Sequence, residues 1–176
     1  MRKVLSSFIG AAALLLMSES VHADVIVRFH EAAPKDKFVI SNRSNCKLAD
    51  GSVIFDLRLT TAGLLFDTAP SGPGENVAQP FEIARSSGVT VSSLPVPDGA
   101  SIAELRFGNF TPEGEVEVTV DVDDSVPSGP RGVQMIDPSE IAGARVVISM
   151  RSRTFPAGVF DRRGVARIKL TACPNS

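Results

Sequence analysis

Apolar and polar residues alternate along most of this chain, and no long stretch repeats apolar residues at helical spacing. The pattern predicts strands. Its clearest instance is Glu115 to Asp123, where Val116, Val118, Val120 and Val122 share one face. Glu115, Glu117, Thr119, Asp121 and Asp123 share the other. Similar reasoning predicts strands over 25–29, 37–41, 52–59, 63–66, 103–107, 144–153 and 165–171. Gly, Pro, Asn and Asp fill the gaps between them. Many short strands separated by turn signals predict an all-β fold, a single antiparallel β-sandwich of immunoglobulin-like or jelly-roll-like form. The one helix-start signal, Asp137-Pro138-Ser139-Glu140, predicts a single turn.

The first 23 residues break the pattern. Arg2 and Lys3 precede an apolar run from Phe8 to Met17, and Val21-His22-Ala23 closes it with a small-x-small site. This order predicts a signal peptide over 1–23 and a single mature domain over 24–176, exported to the periplasm or the extracellular space. The apolar run is too short for a membrane span, and no later segment is long and apolar enough to be a membrane helix. Loss of Arg2, Lys3 and Glu19 takes 18 basic and 20 acidic residues to 16 and 19, a net charge of −3. That balance gives no general attraction to nucleic acid or to an anionic membrane.

Two absences narrow the chemistry. The mature chain has no Trp, no Tyr and one histidine, His30. Sugar clefts that stack rings on Trp or Tyr are therefore excluded, as is a His-rich metal site. Both cysteines, Cys46 and Cys173, lie in the mature part, and in an exported chain they predict a disulfide. It would tie the C-terminal strand to the region of the second strand.

The acidic run is the sharpest candidate for a site. Glu113, Glu115, Glu117, Asp121, Asp123 and Asp124 fall within twelve residues with no base among them. Asp121, Asp123 and Asp124, at a strand end, are candidate calcium ligands, since Ca²⁺ accepts hard oxygens in loose geometry. The residues do not fit an EF-hand loop: Val126 and Gly132 stand where its Gly and bidentate Glu belong. The preferred reading is a solvated charge ladder. Arg145, Arg151 and Arg153 share a face of the 144–153 strand, and antiparallel pairing with Glu115–Asp123 would set acids against arginines.

Other constellations are weaker. His30 ends the first strand beside Glu31, but no Gly-x-Ser-x-Gly elbow accompanies it, so a hydrolase ranks last. No phosphate-cradling loop is present. Asp67-Thr-Ala-Pro-Ser-Gly-Pro73 and Asp124-Ser-Val-Pro-Ser-Gly-Pro130 match each other and suit projecting turns. They would form one binding edge if they shared an end of the fold, though coincidence in loop sequence is the stronger reading. Asn42-Arg-Ser44 and Asn109-Phe-Thr111 are formal glycosylation sequons.

Several blocks together resemble small exported bacterial proteins labelled "aggregation factor core": Asp24 to Phe38, Gly63 to Asp67, Gln79 to Glu82, Asp121 to Asp124 and Glu140 to Val146. The resemblance spans most of the mature chain and implies a secreted, all-β, adhesive protein without enzymatic activity. The expected function is binding to a protein or polysaccharide at the cell surface or in the extracellular matrix, with calcium as the candidate ion. The alternative is a periplasmic structural or assembly accessory whose strand edges pair with a partner.

Overall fold

The computed structural model describes residues 24–70, 79–124, 139–151, 153–170 and 173. The signal segment 1–23 and most of the two Pro-Ser-Gly-Pro loops lie outside them. Among the described residues there is no helix, and twelve strands build two antiparallel sheets around one core. The strands are β1 (Asp24–His30), β2 (Asp36–Asn42), β3 (Gly51–Asp56), β4 (Leu65–Asp67), β5 (Glu82–Ser87) and β6 (Thr90–Ser93). They continue with β7 (Ile102–Gly108), β8 (Glu115–Asp123), β9 (Arg145–Met150), β10 (Arg153–Thr154), β11 (Gly158–Val159) and β12 (Val165–Lys169).

The first sheet runs β12-β1-β2-β8, and the free edge of β8 is shared by β5 and β4. The second runs β9-β3-β7-β6, with β10 and β11 both on the outer edge of β9. Strand faces follow the alternation. Val116, Val118, Val120 and Val122 of β8 are buried, as are Val146, Ile148 and Met150 of β9. Phenylalanines fill the space between the sheets. Phe38 of β2 meets Phe55 of β3 with ring centroids 4.8 Å apart, and Phe29 and Phe160 flank Phe38 at 5.1 and 6.1 Å. Offset and edge-on aromatic contacts of this kind add to simple area burial.

Both lateral edges turn from one sheet into the other. The hairpin β5–β6 leaves the first sheet and enters the second, and β11 leads into β12 in the opposite sense. At the second corner the backbones come very close: a Cβ on Gly158 would lie 2.8 Å from the carbonyl oxygen of Arg167. The predicted disulfide is present. Cys46, in the β2–β3 connection, joins Cys173, just past β12, with Cα atoms 5.2 Å apart.

Four expectations need correction. Residues 57–59 turn away at Leu57 instead of extending the third strand, with Thr60 N–H bonded to the Leu57 carbonyl. The expected 144–153 strand breaks after Met150 and folds back as β10, which pairs on β9 itself. Residues 139–143 form turns and not a helical turn, while Asp137 and Pro138 lie outside the described residues. Finally, β8 and β9 do not pair. β8 lies in the first sheet between β2 and β5/β4, and β9 lies in the second beside β3.

Candidate functional site

The acids of β8 do form a charge ladder, but with bases from their own sheet. Strand β2 places Lys37 opposite Thr119 and Val39 opposite Glu117, so the Lys37 ammonium reaches Glu117 at 3.0 Å. Glu115 accepts from Ser41 Oγ at 3.0 Å and from Arg85 of β5 at 3.2 Å. Arg43, just past β2, pairs with Glu113. These are partly exposed pairs, each contributing little alone, and they occupy the acids at the start of β8. The arginine of β9 expected to face them, Arg145, lies instead on the opposite sheet.

The other end of β8 differs. Asp121, Asp123 and Asp124 belong there, with Asp123 and Asp124 buried and Asp124 N–H bonded to Asp123 Oδ1 at 2.8 Å. Among the described residues no three His, Cys, Asp or Glu side chains come together in a way that could hold a metal ion. The structure adds three acids that the sequence did not single out for this end. Asp36 opens β2 and is 5 % exposed. Its carboxylate accepts from Val122 N–H at 3.0 Å and from Ala32 N–H at 3.2 Å. Burial, reinforced by Glu31 and Asp123, nevertheless raises its pKa to about 6. Asp67 closes β4 opposite Asp121, and Asp98 sits in the β6–β7 connection that runs over it. Burial first, and then Asp98, raise Asp67 to about 6 as well.

A second site lies at the β11–β12 corner. An open groove of about 420 Å³ is lined by Arg28, Val159, Asp161, Arg163, Val165 and Arg167. Antiparallel pairing sets Arg28 opposite Val165 and Ile26 opposite Arg167, which places both arginines on the outer face of the first sheet. Asp161 shapes the turn between β11 and β12. Its Oδ1 accepts from the N–H groups of Arg163 and Val165 at 2.8 and 3.1 Å. These bonds hold the carboxyl below the usual aspartate range. Gly164 makes the turn possible: its φ is +67°, and its carbonyl accepts from Phe29 N–H at 2.8 Å.

The groove therefore presents three guanidinium groups against one carboxylate. Arg163 stands 3.4 Å from Asp161. Neither Arg28 nor Arg167 has a carboxylate within 4.0 Å among the described residues. Val159, 52 % exposed, and Val165 give the groove an apolar part. The sequence reading missed this site because Arg28 of β1 lies far along the chain from the stretch Val159–Arg167, and the arginines read as ordinary polar positions of strands and turns.

His30, the one mature histidine, is exposed at the end of β1 opposite Lys37. The first sequon is structural. Asn42 is fully buried, and its Nδ2 donates to the carbonyls of Cys46, Phe110 and Thr111 at 2.8–3.1 Å. An amide consumed in this way offers nothing to a glycosyl donor. Asn109, by contrast, is exposed just past β7, with φ of 52°. The two Pro-Ser-Gly-Pro loops start from neighbouring strands, at Asp67 of β4 and just past β8 at Asp124, but residues 71–78 and 125–138 lie outside the described residues.

No helix among the described residues is long and apolar enough to cross a membrane. The disulfide is in keeping with a periplasmic or extracellular location. No family model, no curated protein and no solved structure matches the chain.

Proposed function

We propose that the protein is an exported binding protein, without catalytic activity, that attaches to acidic polysaccharide at the cell surface or in the extracellular matrix. The observation that carries this reading is the arginine-walled groove at the β11–β12 corner. Guanidinium forks match two oxygens of a carboxylate or a sulfate group in two-point geometry. Arg28 and Arg167 have no carboxylate of their own to satisfy among the described residues, and the chain has no Trp or Tyr on which a neutral sugar would stack. Recognition by charge suits a uronic-acid or sulfated polymer. The block resemblance to adhesive exported proteins points the same way.

Polygalacturonate serves as the probe, with neutral dextran as control. Binding measured by interferometry is expected for polygalacturonate alone and is expected to weaken as salt screens the contacts. Arg28→Glu and Arg167→Glu are each expected to weaken it at least about tenfold, the scale of one charge-assisted contact. Equal binding to dextran, or affinity untouched by both reversals, would remove the proposal.

A further inference from the structure

Asp67 is buried without any of the partners that a buried carboxylate needs. It is 0 % exposed, and neither of its carboxylate oxygens has a hydrogen-bond donor. Native proteins satisfy the large majority of such groups, because burying a charge away from water without a partner is strongly unfavourable. The arrangement around it makes the deficit worse. The connection between β6 and β7 folds over β4, with Gly99 N–H on the Phe66 carbonyl at 3.0 Å and Ala100 bridged to Phe66. This brings a second carboxylate, Asp98, against Asp67. Asp98 is itself anchored, since its Oδ1 accepts from Thr68 N–H at 2.7 Å and Ala69 N–H at 2.9 Å. Its carboxylate also interacts with that of Asp67. From β8, Asp121 lies directly opposite Asp67 in register, and Asp123 adds further negative charge.

We propose that Asp67 and Asp98 form a divalent-cation site, with calcium as the ion that fits. Asp67 offers two unpaired oxygens, and the anchored Asp98 offers its Oδ2. The half-buried Asp98 gives the pair a side open to water, which would complete the shell of a loosely coordinated hard cation. Two carboxylates with water place the affinity in the weak range of extracellular modules, about 10⁻⁴–10⁻³ M. The site is distinct from the run Asp121, Asp123 and Asp124, and it is independent of the arginine groove.

Calcium chloride titrated into the purified protein at neutral pH tests this, read by calorimetry and by melting temperature. The expected results are a heat of binding with a dissociation constant in that millimolar range and an upward shift in melting temperature. Asp67→Asn should abolish both while leaving the protein folded, because a carboxamide can donate to Asp98. Asp98→Asn, which keeps an acceptor for Thr68 and Ala69, should weaken binding at least tenfold, and Asp124→Asn should leave it unchanged. An absent calcium response overturns the proposal. So does a response that survives Asp67→Asn or is lost in Asp124→Asn. Where calcium does nothing and mild acid raises the melting temperature of the wild type but not of Asp67→Asn, the pair holds a proton and no cation, and the proposal again falls.

Discussion

Asn42 illustrates how far a residue's role can lie from its sequence motif. In the chain it opens an Asn-x-Ser sequon; in the fold it is the hub where the end of β2, the cysteine-bearing connection and the Phe110–Thr111 turn meet. Its Oδ1 also accepts from the N–H and hydroxyl of Ser44 at 3.1 and 2.6 Å. Replacing it with Ala would leave the buried Ser44 N–H without its acceptor and remove one donor from each of three carbonyls, which keep only Ser44 Oγ, Leu48 N–H and Gly114 N–H. Each net bond contributes about 1 kcal/mol and each orphaned group costs about 1–3 kcal/mol. Asn42→Ala is therefore expected to lower unfolding stability by about 2–4 kcal/mol in a urea titration. A loss below about 0.5 kcal/mol would show that water replaces the amide. Asp36 makes a second residue-scale prediction. Its folded pKa, about 6, lies above the ordinary value of 3.8. The native state thus binds its proton more tightly than the unfolded chain does. The stability this supplies is fully present below pH 3.8 and is lost as pH rises through about 6. Between pH 4 and pH 7 the wild type should lose stability relative to Asp36→Asn, by an amount on the order of 1–3 kcal/mol. Parallel pH profiles for the two proteins would contradict the burial argument.

Elements were legible in proportion to how strongly the core marked them. β1, β2, β7, β8 and β12 each send regular apolar positions into the interior, and their alternation can be read directly. β5 and β6 cannot, because their side chains are almost all exposed or half-exposed and include Arg85, Ser86, Ser87, Ser92 and Ser93. They are strands because β8 and β7 offer free edges to pair with, a cause that lies outside their own residues. The two-residue strands β10 and β11 similarly exist through β9. The same limit explains the misplaced ladder. Complementary charge on two amphipathic strands says that each has a solvated face, but it does not say which sheet each joins. Lys37, Arg43 and Arg85 were equally available partners for the acids of β8, and topology chose them. The calcium expectation rested on Asp121, Asp123 and Asp124, which are neighbours in sequence. It could not include Asp67 and Asp98, whose approach depends on a connection thirty residues further along folding over β4.

At the scale of the whole molecule, one covalent link holds the place where the two sheets meet. β12 is the last strand of the first sheet, has β1 as its ladder partner, and approaches the second sheet through β11. A strand at the end of a sheet, paired along one side, frays readily, and this one carries Val165 and Arg167 of the groove. Cys173 follows it directly and is bonded to Cys46, 127 residues earlier. Closing a loop of that length stabilises by about 5 kcal/mol in the chain-entropy model. Most of that effect acts on the unfolded chain, so the folded groove should survive whenever the remaining core suffices. The double variant Cys46→Ser, Cys173→Ser is accordingly expected to lose about 3–5 kcal/mol in urea unfolding, while polygalacturonate affinity at low temperature stays within about twofold of the wild type. A stability loss under about 1 kcal/mol would mean that the unfolded chain is already compact around these residues. A groove affinity that collapses while the protein remains folded would instead assign the disulfide to the native state, as the clamp that keeps β12 against β1.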